Sequence, residues 1–290
     1  MSIKVYLKRG LRFIFKGTPI VHVTANVVTL SPNELLKGRV ALITGGTSGI
    51  GFQIAKAFIN SGATVIITGR NEKRIEETCN MLGTSAKRGK GKVYGYMLDN
   101  TCVKSFEPAL RKMSSQWNLK IDILVNNAGV LGGDISNADE DQYDLIMDTN
   151  LKGAFFLSQA IGKYMKRENI AGNILNIASS SSFRPASSAY TISKWGLRGL
   201  TLGLAKSFSP YGIVVNGVAP GPTATPMLLK DRKDDLTFER NPLGRFALPE
   251  EIANMAVFLV SDMGRTIVGD IVCMTGGAGL ITFDDVNYKF

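Results

Sequence analysis

From residue 39 onward, short apolar and largely β-branched runs alternate with longer amphipathic stretches, and no other feature of the chain constrains its fold as tightly. The strand-like runs fall at 40–44, 63–68, 92–98, 121–125, 173–177, 212–216 and 271–274. Helical patterns lie between them: from the first glycine turn to about 61, then 71–82, a stretch after 101, 139–147, 150–167, 188–210 and 249–261. A strand that is apolar at nearly every position has both faces covered, as in a parallel sheet buried between helices. Parallel neighbours need crossover connections, and these are right-handed. The expected fold is therefore α/β: a single doubly wound domain whose seven-stranded parallel sheet is covered by helices on both faces. The connections are short, and neither a Pro/Ser-rich linker nor an internal repeat interrupts 39–280. The chain divides into a basic N-terminal extension over 1–38, one domain over 39–280 and a C-terminal tail over 281–290.

Composition narrows the chemistry. Hydrophobic residues make up 44% and charged residues 20% of 290, ordinary for a soluble globular protein. No run approaches the roughly 20 apolar residues that cross a bilayer. The N-terminus lacks the continuous apolar core and small-residue cleavage site of a secretory signal, so a cytoplasmic location is expected. Cys79, Cys102 and Cys273 are odd in number and form no Cys-x-x-Cys pair, which argues against a disulfide framework or a zinc site. His22 is the only histidine. A Ser-His-Asp triad or a multi-histidine metal site is thereby excluded unless His22 itself is recruited, and no metal is expected. The net charge is +10, and residues 1–38 contribute six basic side chains (Lys4, Lys8, Arg9, Arg12, Lys16, Lys37) against Glu34. The plainer reading of that bias is a solvated extension packed on the domain or on a neighbouring subunit. Contact with an acidic partner or an anionic membrane surface is the other. Zinc-finger spacing and aromatic-interleaved basic motifs are absent, so nucleic acid is not an expected partner.

The motifs sit at strand ends. Thr44-Gly-Gly-Thr-Ser-Gly-Ile-Gly51 follows the first strand and opens a helix. Glycines there permit positive φ and a close backbone approach to a pyrophosphate, which a helix N-terminus stabilises. Asn126-Asn-Ala-Gly129 follows the fourth strand, Asn150 lies in Asp-Thr-Asn-Leu-Lys-Gly, Ser179 follows the fifth strand, and Pro220-Gly221 follows the sixth. Tyr190 and Lys194 are four apart on an expected helix, so both project from one face. A tyrosine of pKa roughly 10 becomes an effective base near neutrality only if its phenolate is stabilised by about 4 kcal/mol. The neighbouring ammonium of Lys194 supplies part of that.

Thr-Gly-x3-Gly-x-Gly at the first turn, with the later motifs in register, resembles the classical short-chain dehydrogenase/reductase family over about residues 37–280. The resemblance implies a Rossmann-type domain and an NAD(P)(H)-dependent oxidoreductase that interconverts a secondary alcohol and a ketone. It implies that Gly45, Thr47, Ser48, Gly49, Ile50 and Gly51 surround the pyrophosphate and adjacent ribose. Asp99 would bind the adenine amine, Ala128 would line the cofactor, and Asn126 and Gly129 would hold the strand ends against it, Asn126 being structural as much as ligating. Pro220, Gly221, Thr223 and Thr225 would hold the nicotinamide carboxamide. Tyr190 would be the general acid/base, Lys194 would bind the nicotinamide ribose, and Asn150 would position a water leading from Lys194 to solvent. Ser179 is the best match for the serine that holds the substrate oxygen, with Ser180 as the alternative. The second strand ends in Thr68-Gly-Arg70 without the carboxylate that selects NAD. Arg70 can pair with a 2′-phosphate, so NADP(H) is preferred and NAD(H) is the alternative.

Two competing readings are a catalytically idle dinucleotide-binding sensor or scaffold, and a sugar-nucleotide epimerase or dehydratase of the extended branch. The first has no physical need to keep Asn150, Ser179, Tyr190 and Lys194 together. The second has a different glycine spacing and a longer C-terminal substrate domain. The substrate pocket is expected around 131–134, 183–188 and 227–243, with 227–245 as a mobile lid. The substrate class stays open among 3-oxoacyl thioesters, sugars or polyols, steroid-like ketones and other small ketones. Family likeness suggests a homotetramer or homodimer joined through helices near 140–165 and 188–209.

Overall fold

The computed structural model describes residues 33–85, 91–229 and 236–279. Most of the basic extension, with His22, lies outside the described residues, as does the C-terminal tail. The elements run β1 (Val40–Ile43), α1 (Gly49–Asn60), β2 (Thr64–Gly69), α2 (Glu72–Ser85), β3 (Val93–Met97), α3 (Phe106–Trp117) and β4 (Ile123–Asn126). Then follow α4 (Glu140–Met147), α5 (Gly153–Arg167), β5 (Asn173–Ile177), α6 (Ala189–Phe208), β6 (Val214–Pro220), α7 (Pro226–Leu229), α8 (Pro249–Val260) and β7 (Ile271–Met274). The sheet order is β3-β2-β1-β4-β5-β6-β7, and every pairing is parallel.

Strand side chains alternate between two cores, as the pleat requires. Ala41, Ile43, Val65, Ile67, Val125 and Leu175 pack with Ile54 and Phe58 of α1 and Ile252 and Ala256 of α8. Leu42, Ile66, Leu124, Ile174 and Val215 pack on the opposite face with Phe106 and Met113 of α3, Leu157 and Ile161 of α5 and Leu204 of α6. Burial on both faces is what made the inner strands read as continuous apolar runs, while the edge strands β3 and β7 are partly buried.

Three local features depart from the sequence expectation. β6 runs on beyond 216 because Gly217–Pro220 pair with Ile271–Met274; Pro220 ends the strand, where its missing N–H costs least. The two helices expected at 139–147 and 150–167 are joined by a π-turn over Asp148–Lys152, which carries Asn150. Such turns reaim side chains by adding a residue to the helical repeat, and they concentrate at functional sites. Leu36, assigned to the extension, is fully buried in the α1–α8 core, and its N–H donates to the Ser61 carbonyl at 2.8 Å.

Candidate active site

The carboxyl ends of the strands open onto a cleft of about 550 Å³. It spans the point where the sheet order reverses about β1, the usual ligand position in a doubly wound sheet. Gly45, Thr47, Ser48, Gly49 and Ile50 line its middle. Gly45 (φ +63°) and Gly49 (φ +55°) occupy the left-handed region, which other residues adopt only under strain. Ser48 is the N-cap of α1, yet its side chain makes no capping hydrogen bond and the first turn holds no acid. The leading N–H groups of α1 are therefore left for a ligand, and an anion suits both them and the helix dipole.

Asn127 holds this turn. Its Nδ2 donates to the carbonyls of Thr44 (2.9 Å) and Gly45 (3.1 Å), and Thr44 Oγ1 accepts from the N–H groups of Asn127 and Ala128. A Cβ on Gly51 would strike the Asn127 side chain and stand 2.5 Å from the Gly45 carbonyl. Gly51 thus permits the packing of α1 on the β4 end rather than lining the cleft. Asn126, expected either to ligate the cofactor or to hold the strand end, does not line the cleft and is bonded within the core. Its Nδ2 donates to Ser158 Oγ (2.9 Å) and Asn176 Oδ1 (2.8 Å), and Asn176 in turn donates to Thr201 Oγ1 (2.9 Å). Consecutive residues at a strand end face opposite ways, so only one of the two asparagines can reach the turn.

At the end of the cleft beyond β2 and β3 stand Arg70, Asn71, Arg74 and Asp99. Arg74 was not singled out from the sequence. Asn71 Oδ1 accepts from its N–H at 2.9 Å and starts α2 so that Arg74 joins Arg70 along the same wall. Asp99, the one carboxylate lining the cleft among the described residues, accepts from Thr101 N–H and Oγ1, both at 2.9 Å.

At the other end, Ser188 caps α6 by accepting from Thr191 N–H (3.2 Å). That start puts Tyr190 in the first turn of α6 and Lys194 one turn on. Lys194 is 4% exposed and donates from Nζ to the Ile177 carbonyl at 2.8 Å. Burial without a facing carboxylate lowers its pKa to about 8. Lys194 Nζ lies 5.7 Å from the Tyr190 ring centre. Burial pushes the Tyr190 phenol above its ordinary pKa, and a hydrogen bond with Ser179 pulls the other way. Lys194 is not among the causes of that shift, so the depression expected from it is not seen.

The structure separates the two candidate serines. Ser179 faces Tyr190, whereas Ser180 Oγ accepts from Arg184 Nη2 at 2.6 Å. Asn150 is 2% exposed and does not line the cleft. Its amide accepts from Val130 N–H (2.8 Å), donates to the Val130 carbonyl (3.0 Å) and reaches Ser193 Oγ at 3.2 Å. Ala128, Gly129, Pro220, Gly221, Thr223 and Thr225 all line the cleft. The 220–225 loop is strapped down, with Ala247 N–H donating to the Pro222 carbonyl (2.9 Å) and Ala224 N–H to the Ala247 carbonyl (2.8 Å).

Of the expected lid, 230–235 lie outside the described residues. Its second half is a tied turn: Phe238 N–H donates to the Gly244 carbonyl, Asn241 is buried, and Arg245 pairs with Glu251 of α8 at 2.7 Å. Of the expected substrate-pocket segments, Leu131, Arg184 and Leu228 reach the cleft. No group of three His, Cys, Asp or Glu side chains suited to a metal occurs among the described residues. No helix among them is long and apolar enough to cross a membrane.

A family model described as enoyl-(acyl carrier protein) reductase matches residues 45–279. The 3-oxoacyl-[acyl-carrier-protein] reductase of Thermotoga maritima is 35% identical over 248 residues, 83% of this chain and 98% of its own length. The 3alpha-hydroxysteroid dehydrogenase of Mediterraneibacter gnavus is 36% identical over 251 residues, 84% of this chain and 98% of its own. A short chain dehydrogenase from Burkholderia cenocepacia J2315, solved in complex with NADP, superposes with a TM-score of 0.74 at 29% identity, covering 84% of this chain and 98% of that one. With the fold, the glycine turn and the Tyr190–Lys194 pair in agreement, the chain belongs to the classical short-chain dehydrogenase/reductase family of NAD(P)-dependent oxidoreductases.

Proposed function

We propose that the chain is an NADP(H)-dependent reductase of a small-molecule ketone, reversible to the secondary alcohol, with Tyr190 as proton donor and acceptor. The observation that carries this reading is the convergence of Ser179, Tyr190 and Lys194 at one end of a cleft whose other end holds Arg70 and Arg74. The nicotinamide cofactor would supply the hydride; the protein's part is orientation, electrostatics and the proton.

The glycine turn and the open N-terminus of α1 suit a pyrophosphate, and two guanidinium groups after β2 suit a 2′-phosphate better than a bare ribose hydroxyl. Tyr190, held neutral by burial, is in the form that protonates a carbonyl oxygen during reduction. Ser179 orients that oxygen by a second hydrogen bond. Lys194, with a pKa of about 8, is mostly an ammonium at neutral pH and stabilises the phenolate left behind. Asn150, by gripping Val130 and Ser193, fixes the distance between the β4 loop and the helix that carries Tyr190 and Lys194. The relatives named above act as a 3-oxoacyl reductase and a hydroxysteroid dehydrogenase, and both names support a ketone/secondary-alcohol pair. Exposed Tyr143, Leu145, Phe155, Trp195 and Leu202 on α4–α6 support association between copies of the chain.

The cofactor arm is tested by nicotinamide fluorescence titration with NADPH and NADH. Arg70→Ala and Arg74→Ala should each weaken NADPH binding about tenfold or more, with NADH little affected, since each removes a charge-assisted pair. Equal affinity for the two cofactors in the unmodified protein would remove the NADP(H) preference. Binding of neither would favour the idle-scaffold reading.

A further inference from the structure

The connection between Ser179 and Tyr190 carries a cation that the proton and hydride chemistry leaves unused. Arg184 lines the cleft together with Ser179, Ser180, Ser181, Tyr190, Leu131 and Leu228. It is exposed, yet its mount is built. Its guanidinium rests on Ser180 Oγ at 2.6 Å. Trp195 Nε1 of α6 donates to its carbonyl at 2.7 Å. Arg198, one turn on, covers the Phe183 ring at 4.1 Å and donates to the Ser182 carbonyl. Two side chains of α6 thus clamp the segment that presents Arg184 at the mouth.

No ion pair to Arg184 occurs among the described residues. Asp99 stands at the far end of the cleft and is engaged by Thr101. Asp134, on the rim beside Ser188, spends its carboxylate on the N–H and hydroxyl of Ser136. One guanidinium N–H is used by Ser180, and the remaining donors form the planar fork that accepts a carboxylate in bidentate fashion. A single guanidinium suits a monoanion, and Val130, Leu131 and Leu228 offer apolar cover to the carbon chain beside it.

We propose that Arg184 is a substrate-recognition residue and that the ketone reduced in this cleft carries a carboxylate, which Arg184 binds. This rests on the reductase reading above. The test uses the full chain saturated with NADPH, titrated calorimetrically with 3-hydroxybutyrate, longer hydroxy acids and their neutral ethyl esters. These alcohols form dead-end complexes, so binding is read without turnover. The best acid should bind about ten- to a hundredfold more tightly than its ester, the range for one charge-assisted pair. Arg184→Gln should erase that preference while ester and NADPH affinities stay within about twofold, and Arg184→Lys should keep part of it. Equal binding of acid and ester, or a preference that survives Arg184→Gln, overturns the proposal. So does a parallel loss of acid, ester and NADPH binding, which would assign Arg184 to holding the 180–184 turn. Ketone reduction by the unmodified protein and by Tyr190→Phe reads the reductase assignment separately. A carboxylate preference that depends on Arg184 in a protein without turnover would keep the anion site and remove the reaction.

Discussion

Replacing Lys194 with methionine should make the ligand-free protein more stable at neutral pH while abolishing its activity. Lys194 is 4% exposed, and burial brings its pKa from 10.5 to about 8. A base with a depressed folded-state pKa binds its proton more weakly than the unfolded chain does, so it subtracts stability below that pKa. The penalty disappears as pH rises from about 8 toward 10.5. A shift of about 2.5 units at 1.36 kcal/mol each makes the cost about 3 kcal/mol at pH 7. Methionine fills a similar volume without charge, but it forfeits the hydrogen bond to the Ile177 carbonyl, worth about 1.5 kcal/mol. The net gain is between about 1 and 2 kcal/mol at pH 7 and turns into a loss of about 1 kcal/mol by pH 10, where the folded wild-type lysine is already neutral and only the lost hydrogen bond counts. Urea denaturation of both proteins at the two pH values, without cofactor, measures it. A Lys194→Met protein less stable than wild type at pH 7, or a difference that ignores pH, would refute the view that Lys194 is held at a cost for function.

Gly51→Ala should lower the melting temperature by several degrees, because its Cβ meets the Gly45 carbonyl at 2.5 Å and overpacking of this kind costs about 1–3 kcal/mol. The same displacement of Asn127 should weaken NADPH binding, and thermal melts with and without cofactor separate the two effects. Asn176→Ala removes the link between Asn126 and Thr201 and opens a cavity in a buried site. An unfolding free energy lower by about 2–3 kcal/mol is expected in urea, and a loss below ~1 kcal/mol would mean that water replaces the amide.

The sheet was legible because its inner strands are buried on both faces and its edge strands partly so, and the first, fifth and seventh fell within a residue of their places. The motifs at strand ends were legible for a related reason: the doubly wound fold brings carboxyl ends together, so residues distant in sequence meet in one cleft. What the sequence hid was orientation. Asn126 and Asn127 are indistinguishable as letters, and only the alternation of the strand end decides which reaches the glycine turn. Ser179 through Ser182 are four identical residues, separated only by the turn that sets Ser179 on Tyr190 and Ser180 on Arg184. Arg74 lies in a charged run that reads as a solvated helix face, although its spacing of four from Arg70 was the available signal. The continuation of β6 was masked by Gly217 and Pro220, which read as breakers until β7 is seen pairing with them. Asn150 was found by motif, but a π-turn has no sequence signature, so its grip on Val130 was not.

The most direct measurement of the central claim is NADPH-driven reduction of a ketone panel by the wild-type protein and by Tyr190→Phe, with NADPH affinity determined for both. The phenol is the one proton donor the site offers the carbonyl oxygen in the proposed scheme, so removing its oxygen should lower kcat by about a hundredfold to ten-thousandfold with NADPH affinity unchanged. Turnover by Tyr190→Phe within about tenfold of wild type would contradict the assignment of Tyr190 as the acid/base and would require another proton donor in the cleft.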